Sequence, residues 1–398
     1  METFQNILIK YGTKLSENKY LDSIKNAFQT IIPLIISGAI ALLWSHVIVN
    51  ENSGLGALWS PVMKLSFLNP AFDAINFATI GSITIWITYL IGKELGLKNG
   101  VDGTTSGLLS LAGLISTAMT LTTVLDDNGE IIGSVSGIFA STIGSEGLFT
   151  GIIVAVLVSE LFKLVTNIEA IKIKLPEQVP QGVAKPFEYV FPVFLVLTTI
   201  SILGLIIVEF TGVYINELIL RIVQRPLLQV GGSLPGILIL TTVSTLLWTI
   251  GLHGDNIIGG VINPIMTTLT LENTNAIAAG LEPTNIINAP FQRIFFGSGG
   301  TGMMLSLTIA LFIFAKRDEN KAIGKLALAP NLFNIGEVNM FGLPVVLNTA
   351  LIIPFILTPI ICQTFGYVMT NLGIFPVMYI EAPWTTPSVI LGLIAGGW

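Results

Sequence analysis

The chain consists of long apolar blocks separated by short polar breaks. A hydrocarbon core of about 30 Å takes about 20 apolar residues per helix. Blocks approaching that length fall at Phe28–Val49, Phe72–Gly92, Thr104–Thr122, Leu148–Val165, Pro186–Val208 and Pro235–Leu252. Ile257–Leu271, Met303–Ala315, Val345–Phe365 and Pro387–Trp398 follow, the first of them short and broken. The pattern predicts an all-α polytopic membrane protein with about 9–10 transmembrane helices plus re-entrant or broken segments. Residues 1–26 alternate lysines with apolar positions and predict an amphipathic helix on the cytoplasmic face; they lack a signal peptide's compact apolar core and cleavage site. Gly137–Gly147 is a glycine-rich candidate for a half-helix, and Tyr214–Val230 carries Glu217, Arg221 and Arg225 at the spacing of an interfacial helix. Glu282–Gly302 is left as an irregular outer or re-entrant stretch, and no internal repeat is evident at the level of residue identity.

Composition agrees with this pattern. Of 398 residues 52% are hydrophobic and 11% charged, against about 25% charged in soluble domains. With the N-terminus inside, Lys10, 14, 19, 25, 93, 98, 163, 172, 174, 185, 316, 321 and 325 and Arg317 lie on the inner face. Only Lys64, Arg221, Arg225 and Arg293 lie outside or at depth, so 14 of the 18 basic residues obey the positive-inside rule. A charged, proline-bearing linker over residues 167–185 divides the chain. Residues 27–166 then form a scaffold of clean spans, residues 186–231 a connecting span and interfacial helix, and residues 232–398 the part with most polar groups at depth. The formal charge of −6 comes with no basic stripe that would bind nucleic acid. Cys362 is the one cysteine, so no internal disulfide forms.

Two stretches carry the candidate chemistry. Leu332–Pro344 (LFNIGEVNMFGLP) is apolar enough for membrane depth, yet holds a carboxylate, two carboxamides, two glycines and a proline. Broken backbone is tolerated in hydrocarbon only where it is buried in protein or lines a wet cavity. An intramembrane carboxylate costs roughly 2.5–3.5 kcal/mol, which makes Glu337 a functional candidate; the alternative is a solvated loop. Trp248–Pro264 (WTIGLHGDNIIGGVINP) holds one of two histidines, His253, beside Asp255 and Asn256. His253 and Asp255 do not face each other in a regular helix, but a glycine-flanked turn would let both point into one cavity. The alternative is a helix end with both groups merely solvated. Discontinuous helices recur where transporters hold substrates.

Other signals are weaker. Gly297–Gly302 (GSGGTG) matches a dinucleotide fingerprint without its strand–helix context, and reads better as a hinge. Arg293 pairs with Glu282 or bonds a sugar, the pairing being the safer expectation. Trp384, in Glu381–Pro387 (EAPWTTP), is an interfacial indole or a flat face for a sugar ring. No Cys/His cluster, HExxH or nucleophile elbow appears, so no metal, cofactor or hydrolase is expected.

Leu332–Asn348 and Trp248–Pro264, supported by Ile143–Lys163 and Pro383–Pro387, resemble the membrane IIC components of the bacterial phosphoenolpyruvate:sugar phosphotransferase system. The branch that takes lactose, cellobiose and diacetylchitobiose is the most similar. The resemblance spans nearly the whole chain. It implies a homodimeric, elevator-type permease in the bacterial cell membrane, with a dimerising N-terminal half and a transport half with re-entrant hairpins. The sugar is then phosphorylated by a separate IIB protein bearing a phosphocysteine, itself charged by IIA. Glu337 and His253 match the family's sugar-binding pair, Asn334 shares the motif of Glu337, and Trp384 matches the tryptophan near the sugar. Asp255 and Asn256 are candidate ligands beside His253. The commoner family text NINEP has Gly336 and Val338 here in place of its second Asn and its Pro. Relatives continue into one more spanning helix, whereas the twelve residues from Pro387 to Trp398 are too short to span, so that helix is expected to be truncated or partial. An ion-coupled secondary transporter with Glu337 as its coupling site is the competing expectation.

Overall fold

The computed structural model describes residues 2–51, 54–125, 131–173, 175–176, 178–343, 345–346 and 348–396. Pro344 and the Gly397–Trp398 end, named in the motifs and blocks above, therefore lie outside the described residues, as does Lys174 of the linker. Among the described residues helices dominate, with one antiparallel strand pair, Leu121–Leu125 with Ile131–Ser136. By length and composition, four described helices suffice to cross a membrane: Ser60–Lys98, Ser145–Thr166, Val190–Thr211 and Ala350–Asn371. Counting two bent pairs as single spans raises the number to six.

The chain packs as two compact bodies, one of residues 26–31 and 80–226, the other of residues 1–25, 32–79 and 227–398. In the first, Ile83–Lys98, Gly103–Ser116 and Leu148–Thr166 pack against one another. Small residues make this possible, because helix association in lipid depends on close backbone approach. A Cβ on Gly92 would lie 2.3 Å from Ser110 Oγ, and one on Gly151 2.3 Å from Thr88 Oγ1. Ile83, Ile87, Ile91 and Leu95, one helical face, are wholly buried. The expected half-helix is a short turn, Ala140–Ile143, whose neighbourhood is tied down by side chains rather than by helix: Thr84 Oγ1 donates to the Gly144 carbonyl (2.6 Å), Asn216 Nδ2 to that of Ser141 (3.1 Å) and Gln224 Nε2 to that of Ser145 (3.1 Å). Val190–Thr211 exposes Phe191, Phe194, Leu205 and Phe210, an apolar surface suited to lipid.

In the second body the expected N-terminal helix is two, Glu2–Ser16 and the start of Lys19–Thr30. Asn18 causes the break: its Oδ1 accepts the backbone N–H of Tyr20 (3.0 Å) and Leu21 (3.1 Å), a helix N-cap. The expected short, broken Ile257–Leu271 is instead a continuous helix, Gly254–Ala278, with Pro264 inside it. Gly260 does not break this helix. A Cβ there would lie 2.4 Å from the Leu21 carbonyl oxygen, so its bareness serves close packing. The irregular Glu282–Gly302 contains one helix, Ala289–Phe295. Ile32–Leu43, Asn69–Thr79, Met304–Phe314, Asp318–Leu332, Thr349–Asn371 and Ser388–Ala395 are further helices of this body.

Candidate functional site

The site residues lie in the second body and are best followed along the chain. Leu234–Thr249 ends at Gly251, whose φ of +85° suits glycine, and the chain reverses into the Gly254–Ala278 helix. A Cβ on Gly254 would lie 2.0 Å from the Ser244 carbonyl oxygen, so the reversal is as tight as glycine allows. His253 caps the new helix: its Nδ1 accepts the Asn256 N–H at 3.3 Å. A neutral ring so engaged carries its proton on Nε2. The imidazole lies 4.3 Å from the Trp248 ring, centroid to centroid, and borders a cavity of about 180 Å³ with Asn256, Asp22 and Lys25. Lys25 and Asp22 form an ion pair at 2.6 Å on that wall.

Asp255 goes elsewhere. Its carboxylate accepts Ser244 Oγ at 2.5 Å and also the hydroxyl of Thr301. Asp255 does not line the cavity beside His253, because two hydroxyls from other elements hold its carboxylate. Thr301 sits in Gly297–Gly302, the stretch read as a hinge. Gly299, Gly300 and Gly302 have φ of +80°, +101° and +80°, and Met303 follows at +62°. The glycines supply a left-handed backbone that packs against the other motif.

That other motif starts where Asp318–Leu332 ends. Asn334 takes φ +62°, a conformation asparagine tolerates better than most residues. After it the chain turns into a six-residue helix, Glu337–Gly342. Asn331 and Asn339 each donate Nδ2 to the Met304 carbonyl (3.1 and 3.0 Å) and to Thr308 Oγ1 (2.6 and 2.7 Å), fastening the turn to Met304–Phe314. Gly336, where the family text has Asn, lies against the glycine loop: a Cβ on it would lie 2.9 Å from Gly299 O. Glu337 opens the short helix with its side chain exposed, not buried as intramembrane placement suggested. Beneath it, Met340 joins Trp248, Met304, Val345 and Phe355 in one apolar cluster, which links this motif to the stacking partner of His253.

The third segment, Met378–Pro387, is not helical, and side chains from other elements claim its carbonyls. Met378 O accepts Nδ2 of Asn273 (2.8 Å) and of Asn288 (2.7 Å), and Tyr379 O accepts the Thr274 hydroxyl. Arg293 pairs with Glu381 at 2.5 Å and also donates to Ala382 O. The expected partner was Glu282. The 8% exposed Glu381 carboxylate is the group that needs a cation, since a buried charge is tolerated only when paired. Trp384 is half exposed, and its carbonyl and that of Thr386 accept Asn334 Nδ2 at 2.7 and 2.9 Å.

The structure thus joins Asp255, the glycine loop, Asn334 and the Trp384 segment by direct contacts, and ties His253 to the Glu337 turn through Trp248. Sequence reasoning missed Thr301, Arg293–Glu381 and the buried amides, whose partners lie up to 105 residues away. Among the described residues no group of three or more His, Cys, Asp or Glu is placed to hold a metal. The surfaces on offer are a carboxylate acceptor, an imidazole N–H donor and a flat indole, which are the contacts a polyhydroxylated ring can use.

Comparison with known proteins agrees. The family model described as "Phosphotransferase system, EIIC" matches residues 25–359. The oligo-beta-mannoside-specific EIIC component of Bacillus subtilis is 32% identical over 99% of this chain and 87% of its own. The cellobiose-specific EIIC component of Geobacillus stearothermophilus is 30% identical over 96% of this chain and 85% of its own. The crystal structure of the transporter ChbC, the IIC component from the N,N'-diacetylchitobiose-specific phosphotransferase system, superposes with a TM-score of 0.90 at 30% identity, covering 98% of this chain and 89% of that one. Helical architecture, both motifs and these matches coincide, and the chain belongs to the EIIC family of the phosphotransferase system.

Proposed function

We propose that this protein is a membrane permease that binds a β-linked disaccharide, carries it across and presents it to a separate phospho-IIB protein. The observation that carries the reading is the joining of the Glu337 turn and the His253 turn within one body, through Trp248 and the glycine loop. The names of the relatives support the β-linkage, since oligo-β-mannoside, cellobiose and diacetylchitobiose share it. The basic-residue distribution supports a cytoplasmic N-terminus. A homodimer moving its transport body in elevator fashion follows from the family resemblance.

The chemistry divides among few groups. Glu337 accepts a hydrogen bond from the sugar hydroxyl to be phosphorylated. As that oxygen forms its bond to phosphorus and the bond to the donor's cysteine sulfur breaks, the carboxylate takes the hydroxyl proton. His253 donates through Nε2–H and steadies the developing charge, and Trp384 offers the sugar ring a flat face. Asn256, bordering the His253 cavity, is placed for a further polar contact. Cys362 sits half-buried within the apolar Thr349–Asn371 helix, a poor place for a phosphocysteine, which supports a phosphoryl donor on another protein.

The test is equilibrium binding to purified protein of cellobiose, β-mannobiose, lactose and diacetylchitobiose, with α-linked maltose as control. At least one β-linked sugar should bind more tightly than maltose, and Glu337→Gln should weaken it tenfold or more. Preference for maltose, or a Glu337→Gln protein that binds normally, would contradict the proposal.

A further inference from the structure

Asn334 belongs to the motif that holds Glu337, yet its side chain is already committed. Nδ2 donates to the carbonyls of Trp384 (2.7 Å) and Thr386 (2.9 Å). Oδ1 accepts the Gly299 N–H at 3.0 Å and faces Ser388 Oγ at 3.4 Å. A carboxamide has two donor hydrogens and two acceptor lone pairs. All four are used, on three segments remote in sequence: the glycine loop, the Trp384 segment and the start of the Ser388–Ala395 helix. The backbone here is also fitted to the task. With φ at +62°, Asn334 turns the chain so that Gly336 meets Gly300, where a Cβ on Gly300 would lie 2.6 Å from the Gly336 nitrogen. Aspartate would keep the acceptor but face two carbonyl oxygens with a carboxylate. Glycine would keep the turn and lose the ties.

We propose that Asn334 is a positioning residue that clamps the Trp384 segment onto the Glu337 turn, acting on the sugar through Trp384 rather than touching it. This rests on the reading of Glu337 and Trp384 as sugar contacts. Without the clamp the segment from Pro383 to Thr386 keeps no other side-chain tie of its carbonyls among those described, its nearest being Arg293 to Ala382. The indole would then sample many orientations, and its contribution to binding would fall.

A double-mutant cycle tests this, measured with whichever disaccharide the wild type binds in the panel above. Asn334→Gly preserves the left-handed backbone and should weaken binding tenfold or more. In a Trp384→Ala background the same change should cost less than twofold, because a residue acting through the indole has nothing left to position. Equal costs in both backgrounds, or no cost in either, would overturn the clamp. Hydrogen exchange gives a sugar-independent check: the amides of Trp384, Thr385, Thr386 and Ser388 should exchange faster in Asn334→Gly while those of the Gly254–Ala278 helix do not change. Unchanged exchange at those residues would also overturn it. Glu337→Gln and Trp384→Ala proteins that both bind like wild type would instead remove the functional reading itself, a result distinct from failure of the clamp alone.

Discussion

Arg293 and Glu381 show how one buried pair can hold the segment that carries Trp384. Removing one partner of such a pair leaves the other charge uncompensated and costs about 3–5 kcal/mol, while replacing both with apolar residues is often near neutral. Arg293→Met should therefore lower the stability of the purified protein by about that amount, and Arg293→Met with Glu381→Met should recover most of the loss in a thermal melt. A double variant as unstable as the single one would contradict this account. Asp102 has a different role, as the N-cap of Gly103–Ser116, accepting the Thr105 N–H at 2.7 Å. Hydrogen bonds from Thr105, backbone first and hydroxyl second, hold its carboxyl below the usual carboxylate range. The stabilisation is thus full above the ordinary carboxylate pKa and fades as pH falls through the lowered value. Asp102→Ala should cost about 1 kcal/mol at neutral pH, and the gap between variant and wild-type melts should close in acid.

Small residues set the element scale. Gly151 meets Thr88 so closely that Gly151→Ala should destabilise the three-helix core of the first body by about 1–3 kcal/mol, readable as a lower melting temperature. The same chemistry explains what the sequence hid. Apolar blocks such as Leu148–Val165 are legible because lipid demands length and hydrophobicity, and the observed helix, Leu148–Thr166, differs by one residue. Glycines are ambiguous. Gly260 reads as part of a break and serves close packing on Leu21, whereas the glycines of Gly297–Gly302 read as a hinge and form a shaped loop. The block Thr104–Thr122 overran the Gly103–Ser116 helix because its last two residues belong to Leu121–Leu125, a strand rich in β-branched residues that pairs with Ile131–Ser136. Within the site, Glu337, His253 and Trp384 stood out by residue type in an unusual setting. Thr301 did not, and Arg293 was assigned the wrong carboxylate, because their partners lie 46 and 88 residues away.

At the scale of the whole molecule, one compact body holds every candidate sugar contact, and the other is a close-packed helical body with an apolar exterior helix. The stretch expected as a scaffold, residues 27–166, is divided between these bodies, with residues 32–79 grouping with residues 227–398. The central claim is that cargo arrives in the cell phosphorylated, with the phosphoryl group supplied by other proteins. The most direct measurement is uptake of a radiolabelled β-linked disaccharide into cells with and without the phosphoryl-donating enzymes, for the wild type and Glu337→Gln. The account predicts accumulation as sugar phosphate only when the donors are present, and its loss in the variant. Accumulation of free sugar without donors, abolished by an uncoupler, would contradict it and make Glu337 the coupling site of an ion-driven transporter.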